Sequence, residues 1–284
     1  MGEACEESDA VGKWLDSAAS GIFFATRFPA RGYLADATPR LSFSPAMKSL
    51  HSFALALILA CTQSALFAQA ATPEKGGERK KDPSLAPVDD TAGLPRVLLI
   101  GDSISMGYTI PTRTALAGVA NVHRIPTNGS STDVGLKSLD AWLATDGADK
   151  KWDVIHFNWG LHDLKHWKDG KLDIAGPQVN PVEQYEKNLR EIVARLKKTG
   201  AKLIFATTTP VPEGSGGRVF KDELAYNEAA LRVMKAEGVA IDDLHAVVVA
   251  KPDTQREKNV HFTDDGYKTL AAQVAGSIKT ALGK

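Results

Sequence analysis

The chain has 284 residues, 43% hydrophobic and 24% charged, a balance that suits a folded globular protein with room for one large domain or two small ones. Lys plus Arg and Asp plus Glu both number 34, so the formal charge is zero. That neutrality, with no long run of one sign, offers no basic field to nucleic acid and no electrostatic tail.

The N-terminal quarter differs in kind from the rest. Met47-Lys48-Ser49-Leu50-His51 gives a basic start, Phe53 to Ala60 an apolar run, and Ala68-Gln69-Ala70 a small-residue end. These are the parts of a secretory signal peptide over 47–70, cleaved after about Ala70, and they predict a secreted or periplasmic protein. Thr62, Gln63 and Ser64 interrupt the apolar run too soon for a membrane span. The mature form is therefore expected to carry no stable span. Residues 1–46 lie ahead of that signal and hold Glu3, Glu6, Glu7 and Asp9, so they read as a non-native upstream extension with Met47 as the start. Cys5 and Cys61 both precede the cleavage point, which leaves the mature chain without a disulfide. Residues 71–93, with many Pro, Gly, Lys and Asp, read as a flexible leader, and residues 94–284 as one α/β domain.

Within that domain, Arg96 to Ile100 is an apolar run that stops at Gly101-Asp102-Ser103, the pattern of a buried strand with a serine just past its end. Asn121 to Ile125 is a second strand, followed by the turn from Pro126 to Thr132 and a helix opening at Asp133. Asp153 to Trp159 is a third. Asn180 is expected to cap a helix with Pro181 at its first position and Glu183 completing a capping box. Its face of Val182, Tyr185, Leu189, Ile192, Val193 and Leu196 must pack on a sheet. Lys202 to Thr208 is a fourth strand, Asp222 to Glu237 a helix, Gly238 to Asp242 a fifth strand, and Asp264 opens the last helix. Strands alternating with helices imply right-handed crossovers and a parallel sheet covered on both faces. The predicted architecture is a three-layer α/β/α sandwich, flavodoxin-like, with a five-stranded parallel sheet.

In such a sheet the strand ends share one rim, where ligands bind. That rim gathers Asp102-Ser103, Asn128-Gly129-Ser130, Gly160-Leu161-His162-Asp163 and, before the last helix, Asn259-Val260-His261-Phe262-Thr263. Asp102 and Ser103 are also common helix caps. A serine, two histidines and backbone donors, however, are what nucleophilic acyl transfer requires. The hydroxyl needs a base to take its proton, a histidine titrates in the useful range, and the tetrahedral oxyanion needs preorganised N–H groups.

On these blocks the chain resembles the SGNH, or GDSL, hydrolase family across essentially all of residues 94–284. The resemblance implies Ser103 as nucleophile, His261 as general base, and an oxyanion hole from the N–H groups of Ser103 and Gly129. The family's oxyanion asparagine is replaced by His162, whose imidazole N–H is expected to donate instead. Lys258 stands where the family has the aspartate that orients the histidine. Either a backbone carbonyl serves a Ser103–His261 dyad, or an acid comes from elsewhere, with Asp253, Glu257 and Asp264 as candidates. Asn158, Trp159 and Trp167 flank His162 and are read as substrate-cleft residues. His156, His162 and His166 lack a carboxylate placed to complete a zinc motif, so no metal or other cofactor is expected. The resemblance implies a serine esterase for carboxylic esters with acetyl or other short acyl groups, carried by a small molecule or a carbohydrate. A lipase or lysophospholipase-type acylhydrolase and a non-catalytic carbohydrate-binding relative are the alternatives.

Overall fold

The computed structural model describes residues 82–147 and 149–284. The expected upstream extension and signal peptide, and the leader before Asp82, lie outside the described residues. The elements alternate as the sequence implies: β1 (Arg96–Ile100), α1 (Ser103–Ala115), β2 (Asn121–Arg124), α2 (Thr132–Leu143), β3 (Val154–Phe157), a small hairpin of β4 (Trp167–Lys168) and β5 (Lys171–Leu172), α3 (Val182–Lys197), β6 (Lys202–Ala206), α4 (Glu223–Glu237), β7 (Ala240–Asp242), α5 (Leu244–Ala250) and α6 (Asp264–Leu282). The main sheet has five strands in the order β2-β1-β3-β6-β7, all parallel. Helices flank it, α1 against α6, and α3 against α2 and α4. Among the described residues no helix is long and apolar enough to cross a membrane.

The sheet is held by burial on both faces. Val97, Leu98, Leu99 and Ile100 are fully buried, as are Val154, Ile155 and Phe157 beside them, which is why these strands read as continuous apolar runs rather than alternating ones. Tyr185, Leu189, Ile192, Val193 and Leu196 of α3 are likewise fully buried, as their spacing requires. The contact that matters most for the site is α1 on α6. Gly107 of α1 lies under the Tyr267 ring of α6, and any side chain there would drive into the ring. That close crossing sets the start of α1, where Ser103 sits, beside the segment that enters α6, where His261 sits.

Three local expectations differ. Residues 82–93 are not a free leader: Thr91 exchanges hydrogen bonds with the Asn121 side chain (2.9 and 3.0 Å) and Asp90 pairs with Arg96, His123 and Lys150. The residue ahead of α3 is Pro181, with no side-chain cap. The Asn180 amide is drawn into a buried network instead, donating to Asp163 Oδ1 at 2.8 Å. Finally α5 and the β4–β5 hairpin are additional elements, too short for a periodic signal to show.

Candidate active site

At the Gly101-Asp102-Ser103 turn the capping reading holds for Asp102 alone, which leaves the Ser103 side chain out of the cap. Asp102 is the cap of α1, its Oδ1 accepting from Ile104 N at 2.9 Å, while Ser103 is the first helical residue. The turn is braced from below by Arg124 at the end of β2, which is almost fully buried. Its Nη2 donates to the carbonyls of Gly101 (3.0 Å) and Asp102 (2.9 Å) and to Ser105 Oγ (2.8 Å). A guanidinium is the side chain whose fan of donors can tie several acceptors at one point. Sequence reasoning passed over it, since an arginine ending a short strand reads as a solvated edge.

Ser103 Oγ lies 2.9 Å from His261 Nε2. The other ring nitrogen, Nδ1, lies 2.8 Å from Asn259 Oδ1, and the same oxygen accepts from the His261 backbone N–H at 3.0 Å. Two donors converging on one amide atom fix it as the oxygen, so Nδ1 carries the proton and Nε2 is left as the acceptor for the serine hydroxyl. Asn259 thus takes the place of the orienting acid. Asp253, Glu257 and Asp264 make no hydrogen bond to His261: Asp253 sits in a single 3-10 turn and Asp264 in the first turn of α6. The signal for Asn259 was local. An asparagine readily accepts from the N–H two residues on, and here the turn it makes brings the oxygen onto the ring as well.

The loop carrying His261 is laced to itself through Arg256 N to His261 O (2.9 Å) and Thr263 N to Thr254 O (3.0 Å). Lys258 has φ of 52° at its tip, and its stem packs over the position where a Gly214 side chain would stand. Burial leads the causes that lower the His261 pKa, with Arg218 and Arg256 adding to it and Asp102 opposing. The ring is therefore unprotonated, and able to act as a base, at lower pH than an ordinary histidine.

The opposite side of the site departs from the expected oxyanion hole. The Gly129 N–H is already committed to Gly101 O at 2.8 Å, so it is not a free donor. The glycine is needed for another reason: a Cβ there would stand 2.7 Å from that same carbonyl oxygen, so only glycine lets the 128–132 turn close on the Gly101-Asp102-Ser103 turn. The Ser103 N–H, one of the orphan donors at the start of α1, has no acceptor among the described residues. His162 Nδ1 lies 3.3 Å from Lys165 Nζ. An ammonium only donates, so Nδ1 accepts and the proton resides on Nε2, free for an oxyanion. Burial, first among the causes, lowers the His162 pKa and keeps the ring neutral. Asp102 opposes that shift, and Lys165, Arg218 and His261 reinforce it.

The cleft residues divide. Trp159 is fully buried, its Nε1–H donating to Gly129 O at 3.2 Å, so it supports the turn and does not wall the cleft. Asn158 is turned into the sheet and donates to Ala206 O at 2.7 Å. Trp167 alone is exposed, on β4, with Lys165 Nζ 5.2 Å from its ring centroid.

Beneath the site Asp163 clamps two turns together. Its Oδ1 accepts from Thr132 N (2.9 Å), Thr132 Oγ1 (2.6 Å) and Asn180 Nδ2 (2.8 Å), while Oδ2 is buried with no partner among the described residues. Burial dominates and pushes its pKa up to about 7. A carboxyl raised from 3.8 in this way contributes stability that is present at acid pH and lost between about pH 4 and 7. Asp163→Ala, which strands those donors, should lower unfolding free energy by about 3 kcal/mol in urea titration at pH 5. Asp163→Asn should flatten the fall in stability expected of the wild type between about pH 4 and 7.

The comparisons with known proteins agree with this geometry. The model of the GDSL-like lipase/acylhydrolase family matches residues 99–269, from β1 into α6, and so spans Ser103 and His261. Among curated protein sequences none matches the chain. A lipase/acylhydrolase from Enterococcus faecalis superposes with a TM-score of 0.54 at 20% identity, covering 66% of this chain and 96% of that one. An acetyl xylan esterase superposes at 0.53 and 16%, covering 64% and 99%. The acetylxylan esterase of Geobacillus stearothermophilus does so at 0.53 and 17%, covering 67% and 94%. At these identities the structures share the fold, and the sequence model, covering more than half of the chain, carries the assignment: this chain belongs to the GDSL-like lipase/acylhydrolase family and is a carboxylic ester hydrolase.

Proposed function

We propose that the chain is a secreted serine esterase that removes acetyl or similarly short acyl groups from small or carbohydrate alcohols. The observation that carries the chemistry is the 2.9 Å approach of Ser103 Oγ to a His261 whose far nitrogen is held by Asn259. Ser103 attacks the ester carbonyl as His261 Nε2 takes its proton, and the oxyanion is held by the Ser103 N–H and the His162 Nε2–H. His261 then returns the proton to the departing alcohol, and water repeats the sequence to free the acid.

Short acyl groups are favoured by the name acetyl xylan esterase that two fold neighbours carry. A cavity of about 920 Å³ sits beside the site, lined in part by Phe220, Leu224, His245, Val249 and Lys258, and neither Ser103 nor His261 borders it. The basic, apolar and small-residue succession over 47–70 supports export.

A fluorophosphonate probe tests whether the serine is activated. It should label the purified chain at Ser103, and 4-nitrophenyl acetate should be turned over by the same preparation. An unlabelled, inactive protein would instead support the non-catalytic, carbohydrate-binding reading.

A further inference from the structure

Three cations stand around the Ser103–His261 pair, each anchored to a residue of the site or its immediate neighbour. Arg218 Nε–H donates to the carbonyl of Leu161 (2.9 Å), next to His162, and its Nη1 to Gly216 O at 3.3 Å. Lys165 Nζ rests against His162 Nδ1. Arg256 Nε–H donates to Phe262 O at 2.8 Å, and its backbone N–H to His261 O. They arrive on separate segments: the turn after β3, the loop before α4 and the loop before α6.

None of these cations has a carboxylate within salt-bridge reach among the described residues. Arg190, Arg195 and Arg232, on the helices, all do. The acid whose charge reaches Arg218, Asp102, is almost fully buried and engaged as the cap of α1. Arg218 and Lys165 are partly buried, and withdrawing a cation from water without an acid costs free energy. A bound anion would offset that cost. Guanidinium is suited to the work because its planar fork matches two oxygens of a carboxylate or phosphate, and Arg218 Nη2 has no acceptor among the described residues.

We infer that the site selects esters carrying a negative charge near the scissile bond, a carboxylate or a phosphate, with Arg218 as its principal contact and Lys165 and Arg256 supplying the surrounding field. This rests on the esterase reading and names the substrate class within it. Neutral short-chain esters are then substrates of the chemistry alone, and an acid-bearing sugar or a phosphorylated alcohol is the kind of acyl carrier the site prefers.

The test uses three acetyl esters of one shape: 4-acetoxybenzyl alcohol, 4-acetoxybenzoate and 4-acetoxyphenyl phosphate, with acetate release measured on the full chain. At low salt, kcat/KM for the charged esters should exceed that for the neutral one by roughly tenfold or more. The preference should shrink in about 0.5 M salt, where charges are screened within a few ångströms. Arg218→Met should abolish most of it and Arg218→Lys should keep part. Preference for one anion over the other identifies the source. Equal kcat/KM for all three esters, or a preference insensitive to salt and to Arg218→Met, overturns the inference while leaving the esterase reading intact. The salt dependence is read on the wild type, so the result stands even if the arginine variants fold poorly. If the neutral ester is not hydrolysed either, the esterase reading falls and this inference falls with it.

Discussion

Ser103→Ala should abolish ester hydrolysis, and His261→Ala should do the same, each lowering kcat by about 10⁴-fold or more while the protein stays folded. Without the hydroxyl no acyl-enzyme forms, and without the imidazole the hydroxyl stays a weak nucleophile. The two losses should not add, because each residue is useless without the other, so the double variant should be no slower than the single ones. Folding should be spared for structural reasons. The cap of α1 is Asp102 and not Ser103, and among the described residues the only side-chain partner of Ser103 Oγ is His261 Nε2. Thermal unfolding of both variants should therefore match the wild type to within about 0.5 kcal/mol, as for substitutions away from packed features. Retention of more than a tenth of the activity by either would refute the assigned mechanism.

The parts legible in the sequence were those written in spacing. Continuous apolar runs placed the strands, the 3.6-residue face of Tyr185, Leu189, Ile192, Val193 and Leu196 placed α3, and alternation implied a parallel sheet. What escaped depended on where one atom finds its partner. Asn180 looked like a helix cap until the buried carboxylate of Asp163 claimed its amide. The glycine at 129 was needed for close approach, but its N–H turned inward to Gly101 instead of toward substrate. Trp159 flanks His162 in sequence, yet side chains alternate across a strand end, and its ring went into the core while Trp167, on the hairpin, stayed in solvent. The lysine at 258 suggested a lost acid; the function passed one residue along, to an amide that the loop's left-handed turn at Lys258 precedes.

That transfer to Asn259 has a measurable signature in pH. An amide oxygen orients the ring as a carboxylate would, but it adds no charge to stabilise the imidazolium, and the surroundings of His261 already work against that charge through burial, Arg218 and Arg256. In the wild type, kcat/KM should therefore rise with pH along a limb centred below the ordinary histidine value of about 6.5, leaving the enzyme active in mild acid. Asn259→Ala removes the acceptor for both the ring and the backbone of His261 and should lower kcat by roughly 10- to 100-fold with little change in KM, since the loss falls on a proton transfer. Asn259→Asp keeps both hydrogen bonds and adds a negative charge in contact with the ring, which should raise the His261 pKa and move the acid limb to higher pH with it. Above that limb the aspartate variant should be at least as fast as the wild type, because the imidazolium formed during attack is then better stabilised. A purely structural role for Asn259 would lower activity in both variants and leave the limb where it was. A limb at or above pH 6.5 in the wild type, or one unmoved in Asn259→Asp, would show that the base is tuned by something other than the amide seen against its ring.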